Sequence, residues 1–242
     1  MNSLRKQLAA SPLAARAMPF LVFAAFTVCQ GKFGDSSRYW FYFVKTFVGA
    51  WLIWVVRPLV SEMQWKLSWQ AVVVGVAVFA MWVGIDPFYP TLDRLLDRLL
   101  GYVGLAKAGT DAESALDLWN PRAQYGEASA LAWMFIIARG LGSSIVVPPL
   151  EEVFYRSFVY RYLTKAEFES VPLGQFKWTP FLISSVVFGC AHREWLAGIL
   201  CGFAYQGLVC WRKRLGDAIT AHAITNFLLA LWVVGRGAWK FW

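Results

Sequence analysis

Pro148-Pro149-Leu150-Glu151-Glu152-Val153-Phe154-Tyr155-Arg156 sets two adjacent acids and a base inside otherwise oily sequence. A charged group in hydrocarbon costs roughly 2.5–3.5 kcal/mol even on the lenient insertion scales, so such residues pair, line a wet cavity or do chemistry. Proline is tolerated in the first helical turn and disfavours helix in the residue before it. Pro148-Pro149 therefore predicts a helix start with both acids in its first turn, where unpaired amides favour negative charge. On that helix Glu152 and Arg156 are i and i+4, on one face and in the favourable acid-first order, whereas Glu151 points to a different side. The expectation is a Glu152–Arg156 ion pair that steadies the helix and leaves Glu151 facing a cavity, tuned to accept a proton from water. The competing reading makes all three one buried ionic cluster that holds helices together.

The chain has only two histidines, and both lie downstream in apolar segments. In Phe188-Gly-Cys-Ala-His192 the ring pair is one turn apart, so an aromatic wall flanks the imidazole; His192 orients the water or shares its proton with Glu151. In His222-Ala-Ile-Thr-Asn226 an imidazole and a carboxamide share a face, two donors able to converge on one oxygen. Peptide hydrolysis needs that, because the tetrahedral intermediate carries an oxyanion and each lost donor costs on the order of 3 kcal/mol. Taken singly, His192 reads more readily as a packed, hydrogen-bonded residue than as a functional one, and His222/Asn226 reads equally as an interhelical hydrogen-bonding pair.

The composition supplies the setting. Of 242 residues 58% are hydrophobic, 17% aromatic and 16% charged, and mean hydropathy is +0.48, a balance outside the soluble range. The fold class expected is all-α, a polytopic membrane protein with about eight spans around an intramembrane cavity. The apolar stretches are 18–29, 38–56, 69–85, 129–147, 150–163, 179–192, 195–211 and 217–234. One membrane domain, residues 1–242, divides into N-terminal spans (1–85), an interfacial and loop segment (86–128) and a catalytic core (129–242). The first span resembles a secretory signal in its basic flank, but the lack of a small-residue cleavage site favours an anchor.

The net charge of +8 comes from basic residues at span ends, which suits lipid head groups and excludes a nucleic-acid partner. With eight crossings the basic N-terminal tail and Arg212-Lys213-Arg214 fall on opposite sides, so charge alone leaves orientation open. Leu92, Leu95, Leu96, Leu99, Leu100 and Val103 oppose Asp93, Arg94, Asp97 and Arg98, the pattern of a helix in the membrane interface or of one packed outside the membrane. Residues 106–125 read as loop with one short helix. Cys29, Cys190, Cys201 and Cys210 form no CxxC pair and read as reduced packing residues. No phosphate loop and no HExxH occur. Gly198 and Gly202 have the spacing that lets helices approach closely.

Glu151, His192 and His222 could also supply a three-ligand zinc site. The spacing matches no common metal signature and Asn226 is a poor zinc ligand, so the expectation is no cofactor, with zinc a minor alternative.

Glu-Glu-x-x-x-Arg, Phe-x-x-x-His and His-x-x-x-Asn, in that order on successive apolar helices, resemble the motifs of the CAAX prenyl protease and bacteriocin-processing (CPBP, or Abi) family over residues 129–242. The resemblance implies an intramembrane protease of the glutamate type. By motif, Glu151 activates water with help from His192, His222 and Asn226 form the oxyanion site, and Glu152, Arg156 and Phe188 support the geometry. Trp195-Leu-Ala-Gly-Ile and the Trp239-Lys-Phe-Trp242 ending are similar to the bacterial branch that accompanies exosortase and PEP-CTERM systems. That likeness implies a bacterial inner membrane and a protein-sorting system as partner. The function expected is hydrolysis of a peptide bond in a membrane-associated protein or peptide. The alternative is a non-catalytic protein holding a peptide or lipid tail on the same scaffold. A transporter is less favoured, since the polar groups gather in one half with no inverted repeat.

Overall fold

The computed structural model describes residues 2–103 and 118–242, and every regular element among them is helical. After a short α1 (Asn2–Ala9) come α2 (Pro12–Cys29), α3 (Ser37–Val56), α4 (Trp69–Ile85) and α5 (Leu92–Tyr102). A brief α6 (Pro121–Tyr125) precedes α7 (Ala130–Thr164), α8 (Trp178–Cys190), α9 (Trp195–Arg212) and α10 (Leu215–Arg236). Among the described residues five helical stretches are long and apolar enough to cross a membrane, starting at Pro12, Ser37, Trp69, Ala130 and Leu215. The shorter apolar α8 and the 18-residue α9 complete the bundle. The chain is a polytopic membrane protein. Its wide belt of exposed Leu, Val, Phe and Trp side chains, such as Phe47, Trp51 and Trp54 on α3, suits a lipid solvent in which backbone groups must be satisfied within helices.

The break expected at Pro148-Pro149 does not occur. Residues 130–164 form one 35-residue helix, so the separate spans 129–147 and 150–163 are a single one. Proline costs a helix its N–H and clashes with the carbonyl four residues earlier. Here the turn before the pair widens into a π-helix over Gly142–Val146, and a second π segment covers Val153–Val159. The amide of Val147 bonds the carbonyl of Gly142, which leaves the Ser143 carbonyl without a helical donor, since the next candidate is Pro148. Glu151 and Glu152 are thus mid-helix and gain nothing from a helix N-terminus.

With those segments fused, alternating crossings place the N-terminal tail, residues 57–68, residues 165–177 and Arg212-Lys213-Arg214 at one end of the bundle. Contacts among these pieces agree. Arg16 Nε bonds Glu62 Oε1 at 2.8 Å, and Arg161 reaches the same oxygen at 3.4 Å. Ser157 also donates to it, and Ser68 on the way into α4 bonds Asp217 of α10 at 2.5 Å. Burial disfavours the Glu62 charge, but the Arg16 and Ser157 hydrogen bonds outweigh it and hold the carboxyl below its ordinary value. A carboxyl with a depressed folded value adds stability above its unfolded value and loses it as pH falls through the folded value. Glu62→Gln is therefore expected to flatten the acid limb of a thermal-midpoint-against-pH curve while lowering the midpoint at neutral pH.

At the opposite end Trp195 Nε1 donates to Pro90 O at 3.1 Å and the Leu92 amide to Arg193 O at 2.8 Å. These bonds tie the start of α5 to the turn between α8 and α9. Among the described residues nothing buries a residue of α5, and its exposed apolar face is the feature on which both the membrane-interface and the extramembrane expectation rest. Of residues 106–125, 106–117 lie outside the described residues; the short helix is α6. Gly198 and Gly202 do mark a close approach: a Cβ on either would meet α8 backbone at 2.9 Å, at Gly189 and Ser185 respectively.

Candidate active site

A cavity of about 210 Å³ lies among α3, α4, α7, α8, α9 and α10. Glu151, His192, His222, Asn226 and Phe188 all line it. The three motifs, 37 to 70 residues apart in sequence when His222 is taken against Glu152 or Phe188 against Glu151, share one space.

Glu151 reaches this space from α7 and is half-buried. Its Oε2 is enclosed and has no hydrogen-bond partner among the described residues. A carboxylate oxygen in that state has an unmet demand for a donor.

Glu152 turns the other way and is fully buried, at 0% exposure. Its Oε2 lies 3.1 Å from Arg156 Nε, an ion pair whose approach falls outside hydrogen-bond geometry. The guanidinium lies over Phe188, its Cζ 4.2 Å from the ring centroid, so the aromatic wall expected beside His192 also covers the Arg156 charge. Glu152 Oε1 holds His222 Nδ1 at 2.9 Å. Sequence reasoning missed this link between the first and third motifs, and no local spacing signals it.

The hydrogen bonds assign roles to the ring nitrogens. A carbonyl only accepts, so His192 Nδ1, 2.8 Å from Phe188 O, carries a proton, and the neutral ring keeps its Nε2 lone pair as an acceptor. His192 itself sits just beyond the end of α8, with its amide bonded to Gly189 O at 2.9 Å. Its ring lies 4.8 Å from Phe188 and 5.7 Å from Trp82. For His222, Glu152 takes the Nδ1 proton; the ring donates through Nε2 as well only when doubly protonated. Tyr205 stacks on it at 5.1 Å, which fixes the plane.

Asn226 Nδ2 donates at 2.8 Å to the Ser143 carbonyl, the group orphaned by Pro148. One of its two amide hydrogens is spent on α7 and the other remains.

Among the described residues no three His, Cys, Asp or Glu side chains are grouped closely enough to hold a metal ion. Glu194, from the α8–α9 turn, also lines the cavity; burial pushes its carboxyl up from the ordinary value. Arg139, Ser143 and Thr225 line it too, and sequence reasoning had singled out none of these four.

Residues 131–228 match the family model for type II CAAX prenyl endopeptidase Rce1-like proteins. This segment is similar to that family. The matched stretch contains all three motifs, from Glu151 to Asn226, together with Arg139 and Glu194. No curated protein matches the chain, and no solved structure matches it either. The Rce1-like family is one of endopeptidases, so peptide-bond hydrolysis at a membrane is the chemistry against which the cavity is to be judged.

Proposed function

We propose that the chain is a glutamate-type intramembrane endopeptidase that hydrolyses a peptide bond of a membrane-associated substrate. The observation that carries this reading is the unpartnered Glu151 Oε2 in a cavity shared with both histidines and Asn226. A water between Glu151 and the His192 Nε2 lone pair meets two acceptors. It donates one proton to each direction and presents its oxygen to a carbonyl carbon. Glu151 takes the proton as the carbon–oxygen bond forms; the free hydrogen of Asn226 and a doubly protonated His222 face the oxyanion. Collapse of the intermediate breaks the carbon–nitrogen bond, and the proton held by Glu151 passes to the leaving amine. Glu152 and Arg156 touch no reacting atom in this scheme; they hold His222 in register and balance its charge.

The reading needs no metal. A bacterial inner membrane and a protein-sorting partner belong to the same proposal and rest on the motif resemblance. Mass spectrometry of membrane-protein termini from cells with the wild-type chain and with Glu151→Gln tests it: one or more termini present only with wild type are expected. Identical termini, with Glu151→Gln complementing a deletion, would instead establish the non-catalytic holding role.

A further inference from the structure

Arg139, Ser143, Val147 and Glu151 all line the cavity, every fourth residue of α7. In a regular α-helix successive fourth residues drift by about 40°, so Arg139 and Glu151 would stand about 120° apart. The π segment Gly142–Val146 absorbs one residue, about 100° of that drift. The two ends of the stripe thus face one space, separated along the helix by on the order of 18 Å.

The guanidinium of Arg139 is stacked rather than paired. It lies 4.4 Å from the ring centroid of Trp119, 4.7 Å from Tyr42 and 5.5 Å from Trp242. Ring faces engage the flat faces of a guanidinium and leave its five in-plane N–H donors free. They supply neither a hydrogen-bond acceptor nor a net negative charge. Among the described residues no carboxylate makes an ion-pair contact with Arg139. Lys45 Nζ lies 4.4 Å from the Tyr42 ring centroid and donates to Thr27 Oγ1, a neutral hydroxyl, so it supplies Arg139 with no counter-charge. An ionisable side chain inside a membrane bundle, facing a cavity and lacking a counter-charge, marks a binding site for the missing partner. Planar, two-pronged and fixed in orientation, a guanidinium fits a carboxylate.

Resting on the endopeptidase reading, we infer that Arg139 is a specificity residue that binds a carboxylate of the substrate, either a free C-terminus or an acidic side chain, and so sets which peptide bond reaches Glu151. The aromatic cage pre-orders the guanidinium, so little side-chain freedom is lost on binding.

Binding can be read apart from turnover. Three probes are used with detergent-purified protein carrying Glu151→Gln: acetyl-Ala-Leu-Ala-Leu with a free C-terminus, its C-terminal amide, and acetyl-Ala-Leu-Ala-Asp amide. Tryptophan fluorescence reports binding, since Trp119 and Trp242 flank the guanidinium. At least one carboxylate-bearing probe is expected to bind about 10-fold or more tightly than the neutral amide, in line with charge-assisted bidentate pairing. Arg139→Gln should erase that preference and Arg139→Lys should keep part of it. A free-terminus preference names the terminal carboxylate; an Asp preference names a side chain. Equal binding of all three probes, or a preference that survives Arg139→Gln in protein with an unchanged thermal midpoint, overturns the assignment. Should Arg139→Gln fail to fold, Arg139→Lys decides instead: a reduced preference supports the assignment and an undiminished one overturns it. None of these outcomes depends on whether Glu151 hydrolyses anything, so failure here and failure of the endopeptidase reading are separable.

Discussion

Glu151→Gln is expected to lower turnover by about 10²–10⁴-fold, the usual contribution of a positioned general base, with the thermal midpoint unchanged. The two halves of this expectation have one cause. Among the described residues Glu151 Oε2 has no hydrogen-bond partner, so replacing the carboxylate by its neutral isostere breaks no hydrogen bond that holds helices together. Proton abstraction, by contrast, needs the carboxylate's lone pair and negative charge, which a carboxamide lacks. Single-turnover cleavage of a membrane-embedded reporter, alongside thermal unfolding in the same detergent, makes the measurement. A variant that unfolds with its activity would assign Glu151 to the structural ionic cluster considered from sequence.

Glu152→Ala is expected to do the reverse: loss of fold first, with an unfolding penalty of about 3–5 kcal/mol, the range for breaking a buried ion pair from one side. Glu152 is fully buried and joins Arg156 of its own helix to His222 of α10. Its removal strands the Arg156 charge beneath Phe188 and frees His222 to rotate. Chemical or thermal unfolding of Glu152→Ala, compared with the Glu151→Gln variant, reads this directly; equal stability of the two would remove Glu152 from the scaffold. The contrast between neighbouring acids is the sharpest consequence of the site, since two carboxylates adjacent in sequence are assigned to chemistry and to architecture.

Much of that contrast is legible in the letters of the chain. Helical spacing alone separates Glu151 from the Glu152–Arg156 face, and an apolar composition interrupted by a few ionisable residues points to a site within a membrane. The span limits 69–85 and 195–211 agree with α4 and α9 to within one residue, because long apolar runs leave little choice of element. Pro148-Pro149 misled for an equally local reason: proline ends most helices, and only the widened turns on either side let α7 continue.

The amino-acid sequence by itself determined the membrane setting, the helices and the relations within a single turn, since each depends on side chains a few residues apart and on the solvent around them. Tertiary structure alone decided that Glu152 grips His222, that Asn226 caps the carbonyl orphaned by Pro148, and that Arg139 stands in an aromatic cage on the Glu151 stripe. Those relations depend on how helices cross and on one π turn's offset in phase. The period of a hydrophobic pattern carries neither quantity, because it reports which face of a helix is buried and not what lies against it.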